Sequence, residues 1–361
     1  MTPNHMLVAG ASGLVGFAAV RHFAGLPGWT VSAMSRRQPP DVKGAAFVPV
    51  DLSDQAQVAD AVERMPDVTH LVFAAYAEKP GIGGWEQPDG MAVNLALLRN
   101  LTEPLQRRGT LRHVTLLQGT KAYGPPGAAI PVPARERNAR SYASNFYFLQ
   151  EDYLRAEQAA SPSWHWTILR PQIIFGESLG SHMNMIPAIG AYATLLKRAG
   201  EPLYFPGGVS WVREAVDADL LAHACEWAAT APACCNEIFN ITNGDVFEWR
   251  NVWPAIADAL GMRSGPDRPQ SLAETMPARQ AEWRALVRAK GLRAPDDLGA
   301  FVGQGFLYAD HQFCYGLDTP PPPRLVSTIK ARQAGFADCI DTEDMFRKIF
   351  HRYQARGWLP A

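Results

Sequence analysis

No apolar stretch in this chain of 361 residues reaches the ~18 that a bilayer-spanning helix needs, so a helical membrane anchor is not expected. Nor is there a basic run. Lys and Arg total 34 against 35 Asp and Glu, a formal charge of -1, so a phosphate backbone would find no electrostatic footprint and nucleic acid is not an expected partner. Cysteine is scarce: Cys225, Cys234, Cys235, Cys314 and Cys339 are odd in number and lack a CxxC spacing, which excludes a disulfide scaffold and favours a reducing compartment. The opening Met1-Thr2-Pro3-Asn4-His5 has neither the basic region nor the long apolar stretch of a secretory signal, so a cytoplasmic location is expected. The nine histidines show no metal-ligand spacing, and no metal is expected. One further absence concerns chemistry. Tyr147 lies in Asn145-Phe146-Tyr147-Phe148-Leu149-Gln150-Glu151-Asp152, and one helical turn later stands an acid, Glu151, rather than a lysine.

What is present is a globular chain with 47% hydrophobic residues. Up to about residue 175, short apolar runs alternate with longer amphipathic ones, the pattern of a parallel sheet with crossover helices. Strands are predicted at Met6–Ala9, Thr30–Met34, Ala46–Val50, His70–Ala75, Arg112–Leu117 and Trp166–Leu169. Helices are predicted at Leu14–Ala24, Gln55–Arg64 after a Ser53 cap, Met91–Arg107 and Asn145–Glu157. After Arg170-Pro171 proline, glycine and aromatics increase. Helices are predicted there at Asn184–Arg198, Asp217–Ala229 and Trp249–Leu260, with a returning strand at Glu237–Ile241. Pro320 to Pro323 should form a stiff connector to a last helix at Glu343–Arg356. The expected architecture is α/β: a doubly wound parallel-sheet Rossmann domain over 1–175, completed by about 213–245, and a smaller, mostly helical substrate domain over 176–212 and 246–361.

Gly10-Ala11-Ser12-Gly13-Leu14-Val15-Gly16 follows the first strand and opens the first helix. Glycines there let the backbone approach a pyrophosphate, whose charge meets amide groups at the helix start. The alternative is a tight turn with no ligand. At the end of the second strand, where an NAD enzyme would place an acid on the ribose, the chain has Ser35-Arg36-Arg37, and paired guanidinium groups suit the 2′-phosphate of NADPH. Asp51 and Leu52 end the third strand beside the expected adenine, and Ala74, Ala75 and Tyr76 end the fourth, although either segment can equally be loop. Ligands of such sheets bind outside the carboxyl ends of the strands.

A tyrosine serves as proton donor or oxyanion partner near neutral pH when a cation lowers its pKa from roughly 10. Lys121, in Leu117-Gln118-Gly119-Thr120-Lys121-Ala122-Tyr123-Gly124, lies just past the fifth strand, and Tyr147 follows 26 residues later at the start of the next helix. Both map to one edge, where the ammonium would hold a nicotinamide ribose and favour a phenolate-like Tyr147. The plain alternative makes Tyr147 part of a core stripe with Phe146, Leu149 and Tyr153, and Lys121 a loop cation. Met183, Met185, Phe205 and Trp211 are candidates to line an apolar pocket, against the commoner role of core.

Taken together, these motifs resemble the extended short-chain dehydrogenase/reductase superfamily, and within it the progesterone 5β-reductase/iridoid synthase-like group, over nearly the full length. The matching segments are Gly10 to Gly16, Ser35-Arg36-Arg37, Thr69-His70-Leu71-Val72-Phe73, Leu117-Gln118 with Lys121 and Tyr123, the NFYFLQED run, and Arg170-Pro171-Gln172-Ile173-Ile174-Phe175-Gly176. The resemblance implies that Lys121 and Tyr147 are the catalytic pair and that hydride from NADPH goes to the β-carbon of an enone. It also implies that Gln118 borders the cofactor, that Pro171, Ile173 and Ile174 lie near the nicotinamide, and that Ser181 and His182 lie near the pyrophosphate. Plant members usually carry a second tyrosine where this chain has Phe148, a histidine in place of Ala122, and one more residue between glutamine and lysine.

The expected protein is a soluble NADPH-dependent reductase acting on a small apolar enone or carbonyl compound, with a homodimer as an assembly the reading leaves open. Carbonyl reduction is the runner-up, and an NADP-binding regulator without turnover is a further alternative. Gly176-Glu177-Ser178-Leu179-Gly180 matches a G-x-S-x-G nucleophile elbow, with Asp217 or Asp219 and His223 or His311 to complete a triad, but a hydrolase would leave the glycine motif and the arginine pair unexplained.

Overall fold

The computed structural model describes residues 4–40, 43–77, 88–140, 145–181 and 183–361. In chain order it begins β1 (Asn4–Ala9), α1 (Leu14–Ala24), β2 (Trp29–Ser35), β3 (Ala46–Pro49), α2 (Gln55–Arg64), β4 (His70–Phe73), α3 (Pro88–Arg107), β5 (His113–Leu117), α4 (Phe146–Ala160) and β6 (His165–Pro171). It continues with β7 (Ile173–Phe175), α5 (Ile186–Arg198), β8 (Leu203–Phe205), β9 (Ala215–Asp217), α6 (Ala218–Thr230), β10 (Glu237–Ile241), α7 (Trp249–Ala259) and β11 (Ser264–Asp267). Six helices close the chain: α8 (Leu272–Thr275), α9 (Gln280–Lys290), α10 (Leu298–Val302), α11 (Gly305–Gln312), α12 (Ile329–Gln333) and α13 (Thr342–Ala355).

Contacts divide the chain into two compact units. The first comprises Met1–Gln172, Asp219–Ile241 and Arg324–Asp338; the second comprises Ile173–Ala218, Thr242–Pro323 and Cys339–Ala361. The first therefore stops a few residues short of 175, and it includes 324–338, a segment the sequence pattern assigns to the other part. Val326 accounts for that return, since it bridges Ala134 and packs with Tyr123 and Ile130. The proline run ends at the crossing, and the next helix along the chain is α12 rather than the terminal one.

The first unit is built on a seven-stranded sheet in the order β10-β6-β5-β4-β1-β2-β3, with every pairing parallel. Parallel strands are covered on both faces by their crossover helices, which is why Met6–Ala9 of β1 and Leu71–Phe73 of β4 read as continuous apolar runs rather than alternating ones. Leu7, Leu71, Val114 and Ile168 lie in the core on one side, together with Leu98 and Leu101 of α3 and Leu154 of α4. The order reverses between β1 and β4, giving the switch point at which doubly wound sheets place their ligands.

Several boundaries move for local reasons. β4 stops at Phe73, because Ala74 leaves the strand to meet Gly10. The cap of α2 is Asp54, whose carboxylate accepts from the Gln57 amide; Ser53 donates its hydroxyl to Asp51 instead. Asn145 lies outside α4 as its cap. At the amino edge of the sheet His70 and His113 are buried, and desolvation drives their pKa values down, to about 4 and about 3.

The second unit is mostly helical, with two short parallel pairs, β7 with β9 and β8 with β11. Its core joins Phe175, Phe205, Trp249, Trp253, Phe346 and Tyr353, and the Trp253 indole donates to the Leu203 carbonyl at 3.2 Å. Met185 and Phe205 belong to this core rather than to a pocket wall. Among the described residues no helix is long and apolar enough to cross a membrane.

Candidate active site

Because all seven strands are parallel, the segments leaving β1, β2, β3, β4, β5 and β6 lie at one edge. That edge gathers Gly10, Ser35 to Arg37, Asp51 and Leu52, Ala74 to Tyr76, Gln118 to Lys121, and Pro171. The glycine turn is tight. Gly10 has φ +82°, a left-handed conformation suited to glycine, and a Cβ there would lie 2.6 Å from the Ala74 carbonyl oxygen. A Cβ on Gly16 would run into the Gly10 carbonyl oxygen, so that residue too must be glycine for the turn to close onto the helix. The turn is fixed by the Gly10 and Ala11 amides donating to Met34 O at 2.9 and 3.1 Å and by the Gly13 amide donating to Gly10 O at 2.9 Å. Gly13 then caps α1 without any side-chain bond, and the first turn, which holds Leu14 and Val15, carries no acid. The first amides of α1 are therefore available to an anion, with Ser12 alongside. This cradle fits the pyrophosphate of a dinucleotide.

At the end of β2 the buried Ser35 donates its hydroxyl to Arg37 O at 2.6 Å, holding a turn from which Arg36 and Arg37 project as exposed cations. The Ser53 amide and hydroxyl hold the Asp51 carboxyl below its usual range, and the charge of Arg36 adds to this. Arg36 and Asp51 are thus electrostatic neighbours. Leu52 is buried, Ala74 and Ala75 are half-buried, and the ring of Tyr76 stacks on Phe146 with centroids 5.7 Å apart.

The two candidate catalytic residues meet through a third. Buried Asn145 accepts from the Tyr147 amide at 3.0 Å, capping α4, while its amide nitrogen donates to Lys121 O at 3.0 Å. One side chain thus joins the start of α4 to the short 3-10 turn Thr120–Ala122 that carries Lys121. The Tyr147 hydroxyl reaches the same place: a Cβ added to Gly119 would stand 3.4 Å from it and 3.6 Å from the Pro171 carbonyl oxygen. A phenol is therefore held against the exits of β5 and β6. Gln118 is buried, its amide oxygen accepts from Arg170, and its amide nitrogen donates to Tyr147 O. It engages protein at both ends rather than presenting a free amide.

Other expected site residues are not part of the first unit's edge. Ile173, Ile174 and Ser181 belong to the second unit, where Ile173 and Ile174 pair with β9. His182 lies outside the described residues. Ser178 is buried, its hydroxyl accepts from Asn184, and its backbone is tied to the Tyr353 hydroxyl, so it does not stand proud on an elbow as a nucleophile must. Two groups escaped the sequence reading as site residues: Asn145, read only as the first residue of a helix, and Arg170, read only as part of a strand exit.

The model of the NAD dependent epimerase/dehydratase family matches residues 6–242, from β1 to just past β10. The chain belongs to that family. Among its curated relatives are (S)-8-oxocitronellyl enol synthase from Camptotheca acuminata, 32% identical over 79% of this chain and 77% of that one, and 3-oxo-Delta(4,5)-steroid 5-beta-reductase from Arabidopsis thaliana, 31% identical over 80% and 78%. A short chain dehydrogenase from Penicillium aethiopicum is 28% identical over 99% of this chain and all of its own length. This family member is accordingly an oxidoreductase of the short-chain dehydrogenase/reductase type, with relatives in the progesterone 5β-reductase/iridoid synthase-like group. Among solved structures, UDP-glucose 4-epimerase from Bifidobacterium longum, in complex with NAD+ and UDP, aligns with TM-score 0.67 at 15% identity over 98% of both chains. That likeness establishes the Rossmann fold. The family is described as NAD dependent, and the UDP-glucose 4-epimerase of Thermus thermophilus is likewise a complex with NAD.

Proposed function

We propose that the chain is an NADPH-dependent reductase of activated alkenes, with Tyr147 and Lys121 as its catalytic pair. The observation that carries this reading is the Asn145 clamp, which ties the tyrosine's helix to the lysine's turn while the phenol stands beside Gly119. The similarity to an enol synthase and a steroid 5-beta-reductase supports the choice of chemistry.

In this reading the cofactor's pyrophosphate lies on the amides of Gly10 to Gly16 with Ser12, Leu14 and Val15, and its 2′-phosphate pairs with Arg36 and Arg37 beside Ser35. Asp51, Leu52, Ala74, Ala75 and Tyr76 border it across the middle of the edge, and Pro171 closes the β6 side. Ile173, Ile174, Ser181 and His182 are further candidates on the cofactor's nicotinamide and pyrophosphate. When bound, NADPH supplies a hydride. Tyr147 donates a hydrogen bond from its phenol to the carbonyl oxygen of an enone, and that bond strengthens as negative charge grows on the oxygen during reduction at the β-carbon. Lys121 holds the ribose side and offsets the charge on the phenol as its proton is drawn toward the enolate. Protonation then yields the saturated carbonyl product. The second unit is read as the substrate-binding part.

The test is NADPH oxidation over a panel of cyclic enones, steroidal enones, enals and saturated ketones, with product analysis. Saturated carbonyl products from the enones are expected. Alcohols from the ketones with no alkene reduced would replace this reading by carbonyl reduction, and cofactor binding without any turnover would replace it by a regulatory role.

A further inference from the structure

Glu151 occupies the helix position one turn after Tyr147, and it is only 5% exposed. A buried carboxylate needs cationic partners, and three arginines provide them: Arg170 at 3.2 Å, Arg155 at 3.0 Å and Arg140 at 3.3 Å. Arg155 and Arg140 sit on the outer side, about half and a third exposed, whereas Arg170 is 4% exposed and lies on β6 inside the unit. Arg170 faces Glu151, the amide oxygen of Gln118 at 2.9 Å and the face of the Tyr123 ring, 5.1 Å from its centroid. Because a guanidinium only donates, it fixes which end of the Gln118 amide is oxygen. The amide nitrogen must then point the other way, and it donates to the Tyr147 carbonyl at 3.0 Å.

We infer that Glu151 is a positioning residue for Tyr147, acting through a buried relay of Glu151 carboxylate, Arg170 guanidinium and Gln118 amide that returns to the Tyr147 backbone. This rests on the reading of Tyr147 as catalytic. The relay spans α4, β6 and the exit of β5, so it sets the first turn of α4 against the strand exit beside which the phenol stands. Asn145 holds the same turn by the Tyr147 amide and the relay holds it by the Tyr147 carbonyl. The relay also explains the missing helix lysine. A lysine at 151 would press an ammonium against the buried Arg170 guanidinium and leave it without its carboxylate.

The experiment is a double-mutant cycle on turnover of the fastest enone in the panel, with Glu151→Gln and Tyr147→Phe singly and together, and NADPH affinity measured for each. Glu151→Gln alone is expected to lower kcat by roughly 10-fold or more, as small misplacements of a reacting group do, with little change in KM or NADPH affinity. In the Tyr147→Phe background the same substitution is expected to cost nothing further, because it acts through the phenol. A second variant, Glu151→Leu with Arg170→Met, removes both buried charges; it should recover thermal stability but not kcat, because Gln118 has lost its donor. Equal losses from Glu151→Gln in both backgrounds, or full kcat in the Leu/Met variant, would overturn the relay while leaving Tyr147 in place. Full turnover of Tyr147→Phe itself would remove the catalytic reading and the relay with it.

Discussion

Helices α1 and α4 start at the same edge of one sheet, and they start in opposite ways. At α1 no side chain caps the first amides: Gly13 stands at the cap, and the residues around it are pared down until Gly16 leaves no space for even a methyl group. At α4 the start is occupied by the protein itself, with Asn145 on the Tyr147 amide and Gln118 on its carbonyl. An open start suits a ligand that brings its own negative charge, because the helix end offers unpaired donors. A closed start suits a side chain that must not move. One edge thus carries two tasks, holding a phosphate and fixing a phenol, and the difference lies in what the sequence places at each cap.

The largest effect on cofactor binding is expected at Gly16→Ala, whose methyl group would push the turn off α1; losing two amide–phosphate bonds at about 1.5–3 kcal/mol each should weaken NADPH binding by roughly 10²-fold or more in a fluorescence titration. Binding of normal strength would mean that the open start is not the phosphate site. Next is the arginine pair. Arg36→Ala with Arg37→Ala should weaken NADPH by about 10-fold or more through lost charge-assisted bonds while NADH changes little, and equal losses for both would sink the assignment to the 2′-phosphate.

Asn145 separates the two uses of a cap. Asn145→Ala should lower stability by about 1 kcal/mol and reduce turnover, with NADPH binding retained. Asn145→Asp keeps an acceptor for the Tyr147 amide but loses the donor to Lys121 O, so it should keep the stability and still lose turnover. Full turnover in the Asp variant would show that the tie to Lys121 does not matter.

The smallest effect on the site is expected from the amino edge. His70 and His113 are buried neutral, with folded pKa values of about 4 and about 3, below the 6.5 of a free imidazole. The unfolded chain therefore binds more protons between those values, so the stability they help to hold is complete above pH 6.5 and is lost as pH falls toward 4. Thermal melts from pH 8 to 4.5 should show that decline, and replacing His70 by Gln should flatten it without altering turnover at pH 7.5.

Much of the first unit was legible because a parallel sheet announces itself. Met6 to Ala9 and Leu71 to Phe73 are apolar throughout, and Gly10 to Gly16 sits where strand gives way to helix. The choice between Ser53 and Asp54 was not legible, because both are good caps and only the Asp51 carboxylate nearby decides which is used. Glu151 could be read as an absence of lysine but not as an anchor. Its partner Arg170 lies on another element, and Gln118 joins them only through the register that sets Leu117 beside Leu169. The second unit was harder still. α5 was read to within two residues of its start although it is buried on nearly every side, but the short α8 and α10 carry too few residues to show any period.

The most direct test of the account is single-turnover reduction of an enone by enzyme already loaded with NADPH, comparing the natural chain with Tyr147→Phe. Tyr147→Phe is expected to lower the rate by about 10²-fold or more with NADPH affinity unchanged, as when a proton donor held at the reacting oxygen is removed. An unchanged rate would contradict it.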